Sequence, residues 1–182
     1  DIYLDLNEAE KAGSSERVTV VSQIDRYSCA YSGDGNWTGT KRFLINQDSD
    51  LGSLGSLEVA DVREANMSSG DTLVDYVTWA MDSYPADKYV LILSDHGMGW
   101  PGGWTDSAPG GVTDTSTPLQ SRLSDHLYLN ELDAALGEIR ASTGLDKFEV
   151  IGLDACLMGQ LEVFTALAPH ARYAVASEET EP

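Results

Sequence analysis

Tyr89-Val-Leu-Ile-Leu-Ser-Asp-His96-Gly97 and Phe148-Glu-Val-Ile-Gly-Leu-Asp154-Ala155-Cys156 are the two stretches that decide the fold. Each is an apolar run that stops at a reactive side chain, an imidazole in the first and a thiol in the second. In an open α/β sheet, residues just beyond the carboxyl ends of parallel strands line the crevice where ligands bind. A histidine and a cysteine delivered to one such rim match a nucleophile and its acid/base partner.

Outward from these runs, strand and helix patterns alternate. Residues 1–13 read as an amphipathic helix with Ile2, Leu4, Leu6 and Ala9 as apolar members and Gly13 as its stop. The run 18–24 suits a buried strand, 28–40 a turn, and 41–45 a short strand. Residues 48–66 form a Gly/Ser-rich connection with one short strand at 57–59. Asp71 or Thr72 is expected to cap a helix carrying Leu73, Val74, Val77 and Ala80 and ended by Pro85. Six glycines and three prolines between 97 and 121 mark a long loop, and such a loop inside a domain points to function, mobility or processing. Asn130 is expected to cap a helix through Leu132, Ala135, Leu136 and Ile139, with Gly144 as its stop. A helix over 158–167, ended by Pro169, and a strand over 172–177 complete the pattern. This alternation predicts an α/β fold with a mainly parallel β-sheet flanked by helices on both faces.

Charge narrows the partners. Eleven Lys+Arg against 30 Asp+Glu give a formal net charge of −19 and a pI of about 4.2. Such a surface repels phosphate backbones and favours cationic peptides or divalent cations, so nucleic acid is not an expected partner. Solubility or a saline habitat would account for the same acidity. The apolar runs around Val90 and Val150 are too short to span a bilayer. Two cysteines, Cys29 and Cys156, do not make a disulfide-dense scaffold. The sequence leaves the compartment open, because a mature chain would already have lost a signal peptide.

The residues also carry a family resemblance. Asp95-His96-Gly97-Met98-Gly99-Trp100, followed sixty residues after the histidine by Asp154-Ala-Cys156-Leu-Met158, resembles the clostripain-like cysteine peptidases, relatives of caspases, legumains and gingipains. Leu6-Asn7-Glu8, Gln23-Ile-Asp25-Arg26, Tyr84-Pro85-Ala86-Asp87-Lys88-Tyr89 and Ala176-Ser177-Glu178-Glu179 are further matches, so the resemblance runs over nearly the whole chain. It implies a caspase-like fold over residues 1–182, read as one catalytic domain lacking its first strand and its C-terminal portion. It also favours a secreted or cell-envelope location.

The chemistry explains the residue types. A free thiol with a pKa of about 8.5 is mostly protonated at neutral pH, so thiolate attack on a carbonyl needs a base or cation nearby. His96 is the candidate, and it would later protonate the departing amine. The resemblance assigns the oxyanion donors to the backbone N–H groups of Gly97 and Cys156. It assigns Asp154 to the pocket for the substrate residue before the scissile bond, with preference for Arg or Lys, and sets Ser177 and Glu178 along the cleft. The expected function is therefore a cysteine endopeptidase acting on peptides with basic residues through a Cys-His dyad and an acyl-enzyme.

Plainer readings stand beside these. Cys156 as a buried structural cysteine, and Asp154 as a hydrogen-bond acceptor for the helix that follows it, need no catalysis. A non-catalytic α/β binding module or an inactive peptidase homologue would keep the fold, although neither explains both His96 and Cys156. Cys29 is read as incidental, and His126 and His170 as surface residues. No cofactor is required and no zinc spacing occurs. Calcium is compatible with Asp106, Asp114 and the acidic surface, without a located site. Self-processing is expected at Arg122, with Lys147 the less exposed alternative.

Overall fold

The computed structural model describes residues 2–27, 32–106 and 126–180, in two units, Asp1–Ala65 and Asn66–Pro182. In the first unit, helix α1 (Ile2–Ala9) precedes strands β1 (Val21–Arg26), β2 (Gly39–Leu44) and β3 (Leu57–Arg63). The strands pair antiparallel in the order β1-β2-β3. Tyr3 and Leu6 of the helix share a core with Ile24, Phe43 and Ile45. Beside that core, the buried Arg26 guanidinium lies 5.0 Å from the Tyr3 ring centroid and 4.4 Å from that of Trp37. Buried Glu10 accepts hydrogen bonds from the Gly55 and Ser56 amides and from the Ser56 hydroxyl. A buried carboxylate persists only when so satisfied, and here it fixes the loop before β3.

The first strand departs from expectation. It starts at Val21 instead of 18 and belongs to an antiparallel sheet. The Ser15 amide donates to the Val18 carbonyl at 2.8 Å, a turn that delays the strand.

In the second unit, helix α2 (Gly70–Ser83) leads to β4 (Val90–Ser94), then the short strands β5 (Gly102–Thr105) and β6 (His126–Tyr128), helix α3 (Leu129–Thr143), β7 (Phe148–Asp154), helix α4 (Leu161–Leu167) and β8 (Ala171–Ala176). The two apolar runs of the sequence are neighbouring parallel strands in the order β4-β7-β8, as their composition predicts. Leu91, Ile151 and Leu153 are buried with Leu73 and Val77 of α2, Leu132, Leu136 and Ile139 of α3, and Val163 and Leu167 of α4. Helices α3 and α4, from the connections β4 to β7 and β7 to β8, lie on the same side, where their apolar residues join that one core. Alternate residues point the other way, and there Val90, Ile92, Tyr173 and Val175 are 60% to 66% exposed. Within this unit, then, the described helices pack on one face of the sheet.

The helix ends refine the sequence reading. Ser69, not Asp71 or Thr72, caps α2, its hydroxyl accepting from the Asp71 amide at 3.2 Å. Helix α3 starts one residue before Asn130, and its first turn is closed by Glu131, which accepts from the Tyr128 amide at 3.0 Å. Gly144 ends it at φ 75°, in the left-handed conformation that glycine adopts without steric cost. The segment expected as a loop from 97 to 121 contains β5, which pairs antiparallel with β6. Arg122, Asp114 and Cys29 lie outside the described residues. None of the described helices is long and apolar enough to cross a membrane.

Candidate active site

The rim is built from the register of β4 on β7. Ser94 faces Asp154 across the parallel pair, and the Asp95 amide donates to the Asp154 carbonyl at 3.2 Å. The strands therefore end level with each other, and the histidine and the cysteine follow two residues after this pair.

Beyond β4 the chain turns back on itself as a tight hairpin. Trp104 donates its amide to the His96 carbonyl at 2.8 Å, Gly97 bridges Gly103, and the Met98 amide reaches the Gly102 carbonyl at 2.9 Å. The carboxylate of Asp95 accepts from the Thr105 amide at 2.8 Å and locks the base of the hairpin. Glycine is needed where the hairpin presses on its neighbours. A Cβ at Gly97 would lie 2.2 Å from the Cys156 carbonyl oxygen and 2.9 Å from its nitrogen, and one at Gly103 would lie 2.4 Å from the His96 carbonyl oxygen. Thus the residue after the histidine is stacked against the backbone of the cysteine itself.

The cysteine loop is held from the opposite side. Leu157 donates to the Glu179 carbonyl at 3.0 Å and Gly159 to the Ser177 carbonyl at 2.6 Å, so 157–159 and 177–179 run antiparallel. Ala155 and Met158 are buried, which anchors the loop on both sides of Cys156 while Cys156 itself stays half-buried. His96 is exposed. Leu157 accepts a φ of 63°, an uncommon value for a branched residue that the two flanking anchors impose. This tight bend also explains why α4 begins at Leu161 and not at 158.

The other expected residues divide. Asp154, exposed, accepts from the Ser94 hydroxyl at 2.7 Å through Oδ2. That bond orients the carboxylate on the strand and does not cap the following helix. The Ser177 hydroxyl is turned onto its own loop, donating to the Glu179 carbonyl and accepting from the Glu179 amide at 3.1 and 3.2 Å, while Glu178 is exposed. Lys147 sits at the far end of β7 and donates to the Ala168 carbonyl at 2.6 Å. Asp106 accepts from the Met67 amide at 2.9 Å. His170 corrects the expectation of a surface residue. It is 5% exposed, with Nε2 2.7 Å from an oxygen of Asp133 on α3. His126 lies in β6, its ring stacked 6.2 Å from that of Tyr128.

The family model for the clostripain family matches residues 3–182. The chain belongs to that family. Clostripain of Hathewaya histolytica is 28% identical over 82% of this chain and 29% of its own length. A secreted C11 cysteine protease from Bacteroides thetaiotaomicron, solved in complex with an irreversible peptide inhibitor, superposes with a TM-score of 0.67 at 22% identity, over 100% of this chain and 44% of its own. An inactive zymogen C11 protease from Parabacteroides distasonis gives 0.66 at 21% identity, over 99% and 45%. At those identities the two structures show the fold, which is caspase-like. The chain spans under a third of the curated relative and under half of each solved structure.

Ser94, Asp95 and Gln160 take part in the rim without having been singled out from the sequence. Asp95 stood next to the histidine in the quoted run, yet nothing in the spacing said that it would bind an amide ten residues on.

Proposed function

We propose that this chain carries the catalytic residues of a cysteine endopeptidase that cleaves peptide bonds after Arg or Lys. The observation that supports this most is the packing of Gly97 on the Cys156 backbone, which brings a histidine and a cysteine to one rim. The Cys156 Sγ, as thiolate, attacks the scissile carbonyl carbon and forms the C–S bond as the carbonyl electron pair moves to oxygen. Amides of Gly97 and Cys156 are the donors for that oxyanion. His96 gives a proton to the amine as the C–N bond breaks, leaving a thioester. Water, deprotonated by His96, then attacks the thioester and releases the acid and the thiolate. These steps consume one water and require no cofactor.

Specificity follows from Asp154, one of whose oxygens accepts from Ser94 while the carboxylate stays exposed beside the thiol loop. A guanidinium or ammonium from the substrate would complete its hydrogen bonding. Ser177 and Glu178 border the same loop through the 177–179 pairing. Like the secreted relative, the protein is proposed to act outside the cytoplasm.

The test is covalent labelling by an arginyl or lysyl acyloxymethyl ketone. Wild type should be labelled at Cys156 and the Cys156→Ala protein should not. Absence of labelling together with absence of cleavage of Arg- and Lys-containing peptides would sink the reading.

A further inference from the structure

We propose that Gln160 is a positioning residue that ties the histidine hairpin to the cysteine loop, a role that rests on the reading of His96 and Cys156 as a dyad. The hairpin turn from Gly99 to Gly102 is closed by the Gly102 amide on the Gly99 carbonyl at 2.9 Å. Of its two central residues, Pro101 has no N–H, so Trp100 carries the one central amide of the turn. Gln160 Oε1 accepts it at 3.1 Å. The amide group of Gln160 also lies flat on Gly99, since a Cβ there would be 2.3 Å from Nε2, 2.7 Å from Cδ and 2.8 Å from Oε1. Gly99 is buried beneath it and holds φ 76°.

What sets Gln160 apart is where it sits in its own element. It is the N-cap of α4, its carbonyl accepting the Phe164 amide at 3.0 Å, yet its side chain makes no cap hydrogen bond. Ser, Thr, Asp or Asn at that position would satisfy the helix locally and contribute roughly 1 kcal/mol. The longer side chain instead leaves the helix and spans to the other catalytic loop. It connects the residue four after Cys156 to the residue four after His96. Together with Gly97 on Cys156, it makes a second point of attachment between the loops, and two points fix a rotation that one leaves free.

The experiment compares Gln160→Met, which fills the space without accepting a hydrogen bond, with Gln160→Glu, which keeps an acceptor oxygen. Three quantities are read in the full protein: amide hydrogen exchange over 96–104, the pH profile of Cys156 alkylation by iodoacetamide, and kcat and KM on an Arg peptide. In Gln160→Met, exchange of the hairpin should rise, the alkylation profile should move towards that of His96→Ala, and kcat should fall about tenfold with KM within about twofold. Gln160→Glu should stay nearer wild type in exchange. Hairpin exchange unchanged in Gln160→Met would overturn the tether, and faster exchange with kcat and alkylation unchanged would overturn its positioning role. Should Gln160→Met lose its thermal transition, Gln160→Asn, which withdraws the acceptor by one methylene, takes its place.

The two readings fail separately. If wild type is not labelled by the ketones and cleaves no basic peptide while its iodoacetamide profile depends on His96, the peptidase reading fails and the alkylation and exchange data still judge the tether. A wild-type profile identical to that of His96→Ala would overturn the positioning role directly, because there would be no dyad to position.

Discussion

At Gly97 a single hydrogen in place of a methyl group decides whether the loops that carry His96 and Cys156 can meet. A methyl there would overlap the Cys156 carbonyl oxygen, which is backbone and cannot rotate away. Gly97→Ala should therefore push the hairpin off the cysteine loop and lower kcat/KM by roughly a hundredfold, the scale expected of an ångström's misplacement. The measurement is peptide cleavage by a variant whose thermal transition shows it folded, and an undiminished rate would remove the close approach from the mechanism. Cys156→Ala should abolish turnover and His96→Ala nearly so. For Asp154→Asn the expected result is a loss of about tenfold or more in the preference for Arg and Lys over neutral residues, read as a ratio of kcat/KM values. An unchanged ratio would leave the Asp154 to Ser94 hydrogen bond as the aspartate's whole task. Among single residues, the proposed dyad stood out in the sequence because a thiol and an imidazole at strand ends have few other uses. Gln160 was not, since an amide side chain four residues past a cysteine has no chemical signature until its partner, Trp100, is located in space.

Elements were legible where burial and periodicity coincide. Strands β4 and β7, and helices α2 and α3, emerged from their apolar patterns because each buries one consistent face in the same core. The strands of the first unit were misjudged in partnership, since a β-branched run such as 18–24 has the same composition in a parallel and an antiparallel sheet. Helix α4 was extended too far because Met158 is apolar for a different reason. It is an anchor beneath the cysteine loop, wholly buried, and not part of a helical stripe. Met158→Ala should cost about 2–5 kcal/mol of stability, in line with other large core truncations. Denaturant unfolding would show it, and a loss under about 1 kcal/mol would mean that the loop is held by its hydrogen bonds to 177–179 alone. Processing is also a property of an element. Lys147 enters β7 nine residues before Cys156, a span of roughly 30 Å in extended chain. It cannot reach its own thiol without unfolding the strand, so a cut at Lys147 has to be made by another molecule. Mass spectrometry of the active protein should find a cut at Arg122 that is absent from the Cys156→Ala protein, and an identical cut in both would exclude self-processing.

For the molecule as a whole, the property that exceeds any one site is its charge. A net charge of −19 on 182 residues sets up a field that acts on a substrate before any contact is made. A peptide carrying Arg or Lys is drawn towards such a surface, and the attraction weakens as salt shortens the screening length from about 30 Å at 0.01 M to about 8 Å at 0.15 M. The local carboxylate of Asp154 would be affected much less once a cation sits against it, because the pair is then within a few ångströms. Long-range steering and short-range recognition thus separate by their response to ionic strength. The expected result is that kcat/KM for a multiply cationic peptide falls by tenfold or more between those salt concentrations, while kcat changes little. A peptide with one Arg and compensating acidic residues should lose far less. Equal salt sensitivity for the two peptides would show that the acidity of this chain serves solubility and takes no part in gathering substrate.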